Sequence, residues 1–416
     1  MQKTLVVAGA GAAGFFCAIT AARLNPELKV ILVEKSGKIL SKVKVSGGGR
    51  CNVTHACFDI TEMSRKYPRG TNFVKKTFHQ FFTRDTIAWF EDRGVALKTE
   101  EDGRIFPVSN SSQSVIDCLL QEANQYKVEI RLHHEIKNIV FEKDFHSFGI
   151  RFGNDLNLSA DFICLATGGY QKSSMFEWIL QTGHTIADPV PSLFTFNIPG
   201  NSLTGLMGIS VLNATVKITG TNLKESGPLL ITHWGLSGPS VLKLSAWGAR
   251  ILNEKNYRFE IRVNWLGDQT EHSLREQIQS HREIAGSKKI KNKNPFELPQ
   301  RLWEWLLDLA AIPEIQWADL PTAMQNKLIQ LLSNQLFNVE GKTTFKEEFV
   351  TAGGIYLTEV NHQSMESRIR QGLYFAGEIL DVDGITGGFN FQNAWTSGFI
   401  AGKSIALEAE NLKPGI

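Results

Sequence analysis

The fold of this chain is decided by the stretch T-L-V-V-A-G-A-G-A-A-G, residues 4–14. Its first five residues form an apolar run, which is typical of a strand buried on both faces of a parallel sheet. Gly9 permits a tight turn, Gly11 lets the backbone approach a pyrophosphate, and Gly14 lets the following helix pack on the strand. Free backbone N–H groups at the start of that helix attract negative charge. The stretch predicts a dinucleotide-binding loop, with contacts from Gly9, Gly11, Ala12, Ala13 and Gly14.

A second apolar strand is predicted at residues 30–33, and it ends in Glu34, twenty residues after Gly14. A carboxylate at this distance accepts hydrogen bonds from ribose hydroxyls, and Lys35 lies beside it. Because a carboxylate disfavours a 2′-phosphate, FAD or NAD fits this site better than NADP. The loop and the acid together do not distinguish FAD from NAD.

The next segment, S-G-G-G-R-C-N at residues 46–52, departs from the alternating strands and helices of a plain NAD domain. Its glycines leave the backbone free to touch a flat or charged group. One interpretation is a flexible loop. The other is a second wall for the pyrophosphate or the flavin, with Arg50 and Asn52 as polar contacts. On the second interpretation the cofactor contacts are Gly48, Gly49, Arg50, Cys51 and Asn52.

Short alternating segments at 136–143 and 147–152 precede an apolar strand at 162–166, which runs into Thr167-Gly168-Gly169. An antiparallel meander that returns to the sheet at A-T-G-G is how two-dinucleotide-binding flavoproteins are organised. In that resemblance the backbone near Ile136 faces the adenine. The residues that pass close to the cofactor are Ala166, Thr167 and Gly168.

Near the other end of the chain, a predicted strand at 373–376 leads into Gly377-Glu378, two further loops and a helix that continues to Gly402. This is similar to the second FAD motif of the same superfamily, in which a Gly-acid pair meets the ribityl and pyrophosphate region. A helix N-terminus there points at the flavin pyrimidine edge, and its positive dipole end stabilises the anionic reduced flavin. The implied contacts are Gly377, Glu378, Gly387, Gly388, Phe389, Asn390 and Gln392.

Four motifs together resemble one family, the aminoacetone-oxidase-like (YhiN/BaiN-type) bacterial FAD flavoproteins. They are S-G-G-G-R-C-N-V-T (46–54), T-H-W-G-L-S-G-P (232–239), T-A-G-G-I (351–355) and L-Y-F-A-G-E-I-L-D-V-D-G-I-T-G-G-F-N-F-Q-N-A-W (373–395). The resemblance implies a non-covalently bound FAD and an FAD domain with an inserted β-rich domain and a helical cap. It implies no particular substrate, since closely similar members have been assigned unlike ones.

The residues themselves favour the same α/β architecture, a Rossmann-type FAD-binding domain with two insertions. Strand-like pieces separated by Gly, Asn and Pro turns fill 194–265, and a helical pattern fills 268–339. The predicted domains are 1–192 (FAD-binding, first part), 193–266 (β-rich), 267–340 (helical cap) and 341–416 (FAD-binding, second part). Some of 341–355 can also belong to the β-rich domain.

Charge and composition limit the classes of partner that we expect. The chain of 416 residues has 44 basic and 42 acidic side chains and a net charge of +2. Since no long basic stripe occurs, we expect a small-molecule substrate, no nucleic acid and no membrane. The lysines between 288 and 293 are interpreted as a solvated loop rather than a polyanion site. The apolar runs are strand-sized and no signal peptide is apparent, so the expected compartment is the cytoplasm.

The five cysteines predict neither structural disulfides nor a metal site, because they are widely spread and lack zinc-type spacing. FAD-linked disulfide reductases place two cysteines on a helix with four residues between them, whereas five residues lie between Cys51 and Cys57. The additional residue turns Cys57 by about 100° away from the Cys51 face of a helix. We therefore interpret Cys51 as a small buried residue beside the flavin.

The predicted function is an FAD-dependent oxidoreductase that moves a hydride or electrons between a small organic substrate, such as an amine or amino ketone, and O₂, NAD(P) or another acceptor. His233 is a candidate base for deprotonating a donor, or else makes structural hydrogen bonds only. With one G-x-G-x-x-G loop in the chain, NAD(P)H as a co-substrate would bind without its own Rossmann domain. The alternatives are a flavin-dependent tRNA-modification protein and a non-enzymatic flavin redox sensor.

Overall fold

The computed structural model describes residues 2–142, 147–344 and 350–411. The chain divides into two compact units, which we call the flavin unit (Met1–Ser192 with Lys346–Ile416) and the insert (Leu193–Phe345). Within the described residues no helix has the length and apolar character that crossing a membrane requires. Lys143, the last residue of one predicted strand segment, lies outside the described residues.

The flavin unit is built on a five-stranded parallel sheet. The strands of the whole unit are β1 (Thr4–Ala8), β2 (Lys29–Val33), β3 (Thr54–His55), β4 (Leu97–Thr99), β5 (Arg104–Pro107), β6 (Glu129–Arg131), β7 (Ile136–Glu142), β8 (Ser147–Phe152), β9 (Asn157–Ala160), β10 (Phe162–Leu165), β11 (Ile186–Ser192), β19 (Val350–Ile355) and β20 (Leu373–Phe375). The parallel sheet has the order β20-β10-β1-β2-β6. Smaller antiparallel sheets are formed by β7-β8-β9, by β3-β5-β4 and by β11-β19.

Helices cover this sheet and connect its strands. They are α1 (Ala12–Leu24), α2 (Ser41–Gly49), α3 (Ile60–Ser64), α4 (Thr71–Thr77), α5 (Thr83–Glu91), α6 (Gln113–Gln125), α7 (Glu177–Leu180) and α13 (Phe389–Asn411). The two ends of the chain meet where α1 packs on α13. A Cβ added at Gly398 would lie 2.5 Å from the carbonyl oxygen of Ala13, and one at Gly402 would lie 2.4 Å from that of Cys17. The two helices therefore approach each other more closely than larger residues would allow.

The insert contains a seven-stranded sheet and five helices among the described residues. Its strands are β12 (Thr195–Asn197), β13 (Ser210–Ile218), β14 (Lys224–Thr232), β15 (Gly235–Ser237), β16 (Arg258–Asn264), β17 (Gln335–Glu340) and β18 (Lys342–Thr343). Its helices are α8 (Pro239–Trp247), α9 (Ala249–Glu254), α10 (Glu271–Ala285), α11 (Gln300–Ala310) and α12 (Thr322–Asn334). One apolar core joins strand residues such as Val216 and Ile261 to helix residues such as Trp303 and Leu306.

The structure corrects one part of the predicted helical segment. Residues 335–339 belong to β17, which pairs antiparallel with β16. Phe337 and Val339 are buried while Leu336 is 46% exposed, an alternation with the period of two that a half-buried strand requires. The assignment of 193–266 and 267–340 to two separate domains stays a prediction.

Candidate functional site

The first glycine loop packs directly on the A-T-G-G segment that follows β10. Gly9 has φ +106°, a left-handed conformation that favours glycine, and an added Cβ would lie 2.4 Å from the carbonyl oxygen of Ala166. A Cβ at Gly14 would lie 1.9 Å from the carbonyl oxygen of Gly9. Two of the three predicted loop glycines are thus required by the fold itself, whatever the loop binds.

Open space lies in front of three other predicted contact residues. A Cβ added at Gly11, Gly48 or Gly168 would meet no heavy atom within 4 Å. These glycines come from α1's N-terminus, from the S-G-G-G-R segment and from the A-T-G-G segment, which sequence reasoning assigned to one cofactor. Their backbones fit a pyrophosphate or a flavin, because a bound group can approach each of them without a side chain in the way.

Glu34 is held at the end of β2, beside the glycine loop. One carboxylate oxygen accepts a hydrogen bond from the backbone N–H of Ala10 at 3.2 Å, and the other accepts from the backbone and hydroxyl of Ser36 at 2.9 Å. Next to it, the ammonium of Lys35 lies 5.8 Å from the centre of the Tyr170 ring. Ribose binding by this carboxylate stays a prediction. Ile136, the predicted adenine neighbour, is a buried residue of β7.

The Gly377-Glu378 pair of the C-terminal motif lies against the start of α1. A Cβ added at Gly377 would lie 2.8 Å from the Cβ of Ala13. The carboxylate of Glu378 accepts a hydrogen bond from the backbone N–H of Thr351 at 2.9 Å and pairs with Lys42 at 2.6 Å. The two FAD motifs of the sequence are therefore neighbours in the fold.

The second C-terminal loop meets residues 52–55, which follow α2. A Cβ added at Gly388 would lie 2.6 Å from the carbonyl carbon of Thr54. With its amide oxygen facing Gly388, Asn52 accepts a hydrogen bond from that backbone N–H at 2.9 Å and donates to the carbonyl of Thr54 at 2.9 Å. His55 also contacts this loop, since its ring stacks on Phe389 with centroids 4.7 Å apart.

Three side chains that were predicted to contact the cofactor make contacts with other protein groups. Arg50 pairs with Glu100 at 2.6 Å and lies over the Phe106 ring. Asn390 makes two hydrogen bonds with the backbone of Gly384, at 2.8 and 2.9 Å. The amide oxygen of Gln392, a fully buried residue, accepts hydrogen bonds from the hydroxyls of Thr54 at 2.6 Å and Thr86 at 3.0 Å. These contacts hold the loops in place, and direct cofactor contact by these residues stays a prediction.

A buried ion pair in the C-terminal loop was missed from the sequence. Asp383 is fully buried, both of its carboxylate oxygens accept hydrogen bonds from the guanidinium of Arg69, and the hydroxyl of Ser192 donates to it at 2.8 Å. Burial raises the pKa of Asp383, and the Arg69 charge opposes that shift. The only sequence signal was the D-V-D-G motif, which does not reveal a partner more than 300 residues away.

The structure also corrects the reasoning about Cys51 and Cys57. The segment between them contains β3 and no helix, so the helical rotation argument does not apply. Cys51 is fully buried with φ +61°, and burial raises the pKa of its thiol to about 12. Cys57 is partly exposed, and both thiols are free. Cys51 is thus a small buried residue, as the sequence predicted, but for a different reason.

His233, the candidate base, lies in the insert. It is an exposed residue in the turn between β14 and β15, and its ring packs edge-on against Trp234 with centroids 4.2 Å apart. No feature of its surroundings assigns it a reaction, so its catalytic role stays a prediction.

Comparisons with known proteins extend over almost the whole chain. The family model described as HI0933-like protein Rossmann domain matches residues 3–404. A ribosomal RNA dihydrouridine synthase of Escherichia coli (strain K12) is 30% identical over 410 residues, which cover 96% of this chain and 97% of the relative. A 3-dehydro-bile acid delta(4,6)-reductase of Clostridium scindens is 28% identical over 96% of this chain and 98% of the relative.

Among solved structures, a 3-ketosteroid delta1-dehydrogenase from Sterolibacterium denitrificans has a similar fold. The TM-score is 0.52 at 13% identity, and the match covers 98% of this chain and 100% of that structure. This likeness concerns the fold alone. Together with the family match, it confirms the predicted Rossmann-type architecture.

Proposed function

This chain belongs to the HI0933-like protein Rossmann domain family and is an FAD-dependent oxidoreductase, and we propose that it reduces a carbon–carbon double bond that is conjugated with a carbonyl group. The family match confirms the resemblance drawn from the four motifs. The class of substrate and the route of the electrons are the parts that we propose.

This proposal rests on the reactions that the names of the two relatives describe. Making dihydrouridine from uridine adds two hydrogens across a ring double bond that is conjugated with a carbonyl. A delta(4,6)-reductase of 3-dehydro bile acids also adds two hydrogens to a double bond in conjugation with a ketone. Neither name points to the amine or amino ketone that we predicted from the sequence. The shared chemistry favours hydride addition to an activated alkene.

The chain's own residues suit the binding part of this function. The loop from Gly9 to Gly14 would hold the pyrophosphate, and Glu34 would bind the ribose. The two segments joined by the hydrogen bond between Asn52 and Gly388 would support the flavin ring. Bound FAD supplies the hydride chemistry. The reductant that we propose is NAD(P)H, which acts as an electron donor and not as the acceptor.

A uracil ring in RNA is the second candidate substrate, favoured by the 30% identical relative. Net charge alone does not decide it, because the insert has three more basic than acidic residues and the flavin unit has one more acidic than basic residue. RNA binding depends strongly on basic side chains. This candidate opposes our expectation that nucleic acid is not a partner. Both substrates would be met in the cytoplasm, which stays part of the proposal.

The test is an anaerobic titration of the purified protein with its bound flavin reduced by dithionite. We expect an enone steroid, or else RNA that contains uridine, to restore the absorbance of oxidised flavin. Free FAD at the same concentration is the control for direct chemical reoxidation. Reoxidation by neither compound, with prompt reoxidation by O₂, would contradict the proposal and favour an oxidase. A flavin that no compound reoxidises would favour the redox sensor.

A further inference from the structure

A cavity of about 600 Å³ opens in the flavin unit beside α4. Residues 70–76 form one side of it, and residues 357–368 of the segment after β19 form the other. A cavity of this volume is in the range that accepts a small organic ligand. None of the predicted FAD contacts lines it.

The charged side chains that line this cavity are all basic. They are Lys76, His362 and Arg368, and no acidic residue lines the cavity. In the part of the chain that the structure describes, none of these three forms an ion pair with a carboxylate. Burial, and then the neighbouring charges of Lys76 and Arg368, lower the pKa of His362. The charges of Lys76 and Arg368 therefore both reach His362, and a bound anion would offset them.

The rest of the cavity wall is suited to a ring. Phe73 and Val360 are buried and Leu357 is partly buried, and all three present apolar surface. Thr71 and Asn72 add polar groups at the edge. An apolar wall with cations beside it matches a ligand that carries both a flat ring and phosphate groups.

We propose that this cavity binds a nucleotide, with its phosphate held by Lys76 and Arg368 and its ring against Phe73 and Val360. The inference deepens the proposed function, because it provides a nucleotide site in a chain with a single G-x-G-x-x-G loop. The cavity wall also abuts the loop before α13, since a Cβ added at Gly70 would lie 2.6 Å from a methyl carbon of Val382. The phosphate can belong to the dinucleotide reductant or to an RNA substrate.

The test is calorimetric titration of the oxidised, FAD-bound protein with NADP⁺, NAD⁺ and a short uridine-containing RNA. These ligands do not reduce the flavin, so binding is measured without turnover. We expect Lys76→Glu and Arg368→Glu each to weaken nucleotide binding about tenfold or more, since each loses a charge-assisted hydrogen bond. Lys75→Glu is the matched control, because Lys75 is an exposed neighbour on α4 that does not line the cavity.

Binding of NADP⁺ or NAD⁺ that depends on Lys76 identifies the dinucleotide, and binding of RNA with the same dependence identifies the polymer. Equal losses for Lys75→Glu and Lys76→Glu would show general attraction of anions and overturn the inference. So would the absence of binding by every nucleotide. Lys76→Arg should retain binding, and unchanged FAD content shows that the variants are folded. A protein that, with chemically reduced flavin, reduces an enone but binds no nucleotide overturns this inference and NAD(P)H as the reductant, and leaves reduction of the double bond intact.

Discussion

Two loops of the flavin unit, an N-terminal loop at 9–14 and a C-terminal loop at 381–388, are specified in different ways. The N-terminal loop is specified by the spacing of Gly9, Gly11 and Gly14. These glycines lie close together in the sequence and determine how closely the backbone of the loop can pack. The C-terminal loop is fixed by partners far away in sequence, such as Arg69 for Asp383 and Asn52 for Gly388. A local pattern can be recognised in one sequence, whereas a long-range contact needs the fold. The two loops should therefore respond differently to substitution.

The largest effect is expected at Gly14. An alanine there would place its Cβ 1.9 Å from a backbone oxygen that belongs to the same tight turn, so the turn cannot form without moving. We expect Gly14→Ala to lose about 3 kcal/mol or more of unfolding free energy, and its FAD as well. Gly11→Ala, with open space around it, should stay folded and lose FAD affinity alone. Chemical denaturation and the flavin content of the purified proteins measure both outcomes. Equal stability of the two variants would contradict this account of the loop.

The next effect concerns the C-terminal loop. Asp383→Asn removes the charge that neutralises Arg69 in a buried site and should cost about 3 kcal/mol of unfolding free energy. Asp381→Asn, a change in the same loop at a residue that is not fully buried, should cost much less. Urea unfolding of both variants measures the two losses of unfolding free energy. If Asp383→Asn unfolds at the same urea concentration as the unmodified protein, the ion pair does not hold the loop.

A smaller effect, mainly on binding, is expected at Glu34. Glu34→Gln keeps the shape of the side chain but weakens its hydrogen bonds as an acceptor, so FAD should bind about tenfold more weakly. The unfolding free energy of the FAD-free protein should fall by only about 1 kcal/mol, because one of the two oxygens that accept hydrogen bonds from Ala10 and Ser36 becomes an NH₂ group. Fluorescence titration of the FAD-free protein with FAD gives the affinity. Glu101→Gln, an exposed change away from the loop, is the control, and an equal loss in that variant would argue against ribose binding by Glu34.

The smallest effect is a difference in reactivity between two thiols, those of Cys51 and Cys57. Burial raises the pKa of Cys51 to about 12, so its thiol stays protonated and shielded at pH 8, whereas Cys57 is partly exposed. We expect a thiol reagent to modify Cys57 in the folded protein and Cys51 only after unfolding. Cys57→Ser should abolish the fast reaction. Fast modification of Cys51, seen by peptide mass mapping, would contradict its burial.

Much of the fold could be read from local patterns. The strands at 4–8 and 162–165, the helix after Gly11 and the parallel arrangement all follow from apolar runs and glycine spacing. The strand at 335–340 was missed, because its alternation of buried and exposed residues is only six residues long and directly follows a helix. Short elements carry too little periodicity to be separated from a neighbouring helix.

The sequence indicated the parts of the candidate site that depend on glycine positions. It did not indicate the parts where side chains from distant segments meet. The glycines at 387–388 lie close to other protein atoms, whereas the contact of 46–49 with a cofactor stays a prediction. Nothing in the sequence showed that Arg50 pairs with Glu100, or that Lys76, His362 and Arg368 line one cavity. Such groupings depend on how segments far apart in sequence fold together.

The central claim, reduction of an activated double bond, is tested most directly by mass spectrometry of the candidate substrates. The purified protein, with its flavin reduced, would be incubated anaerobically with an enone steroid and, separately, with uridine-containing RNA that is afterwards digested to nucleosides. We expect the steroid or the uridine to gain the mass of two hydrogen atoms as the flavin becomes oxidised. Unchanged masses for both compounds, with the flavin still reduced, would contradict it.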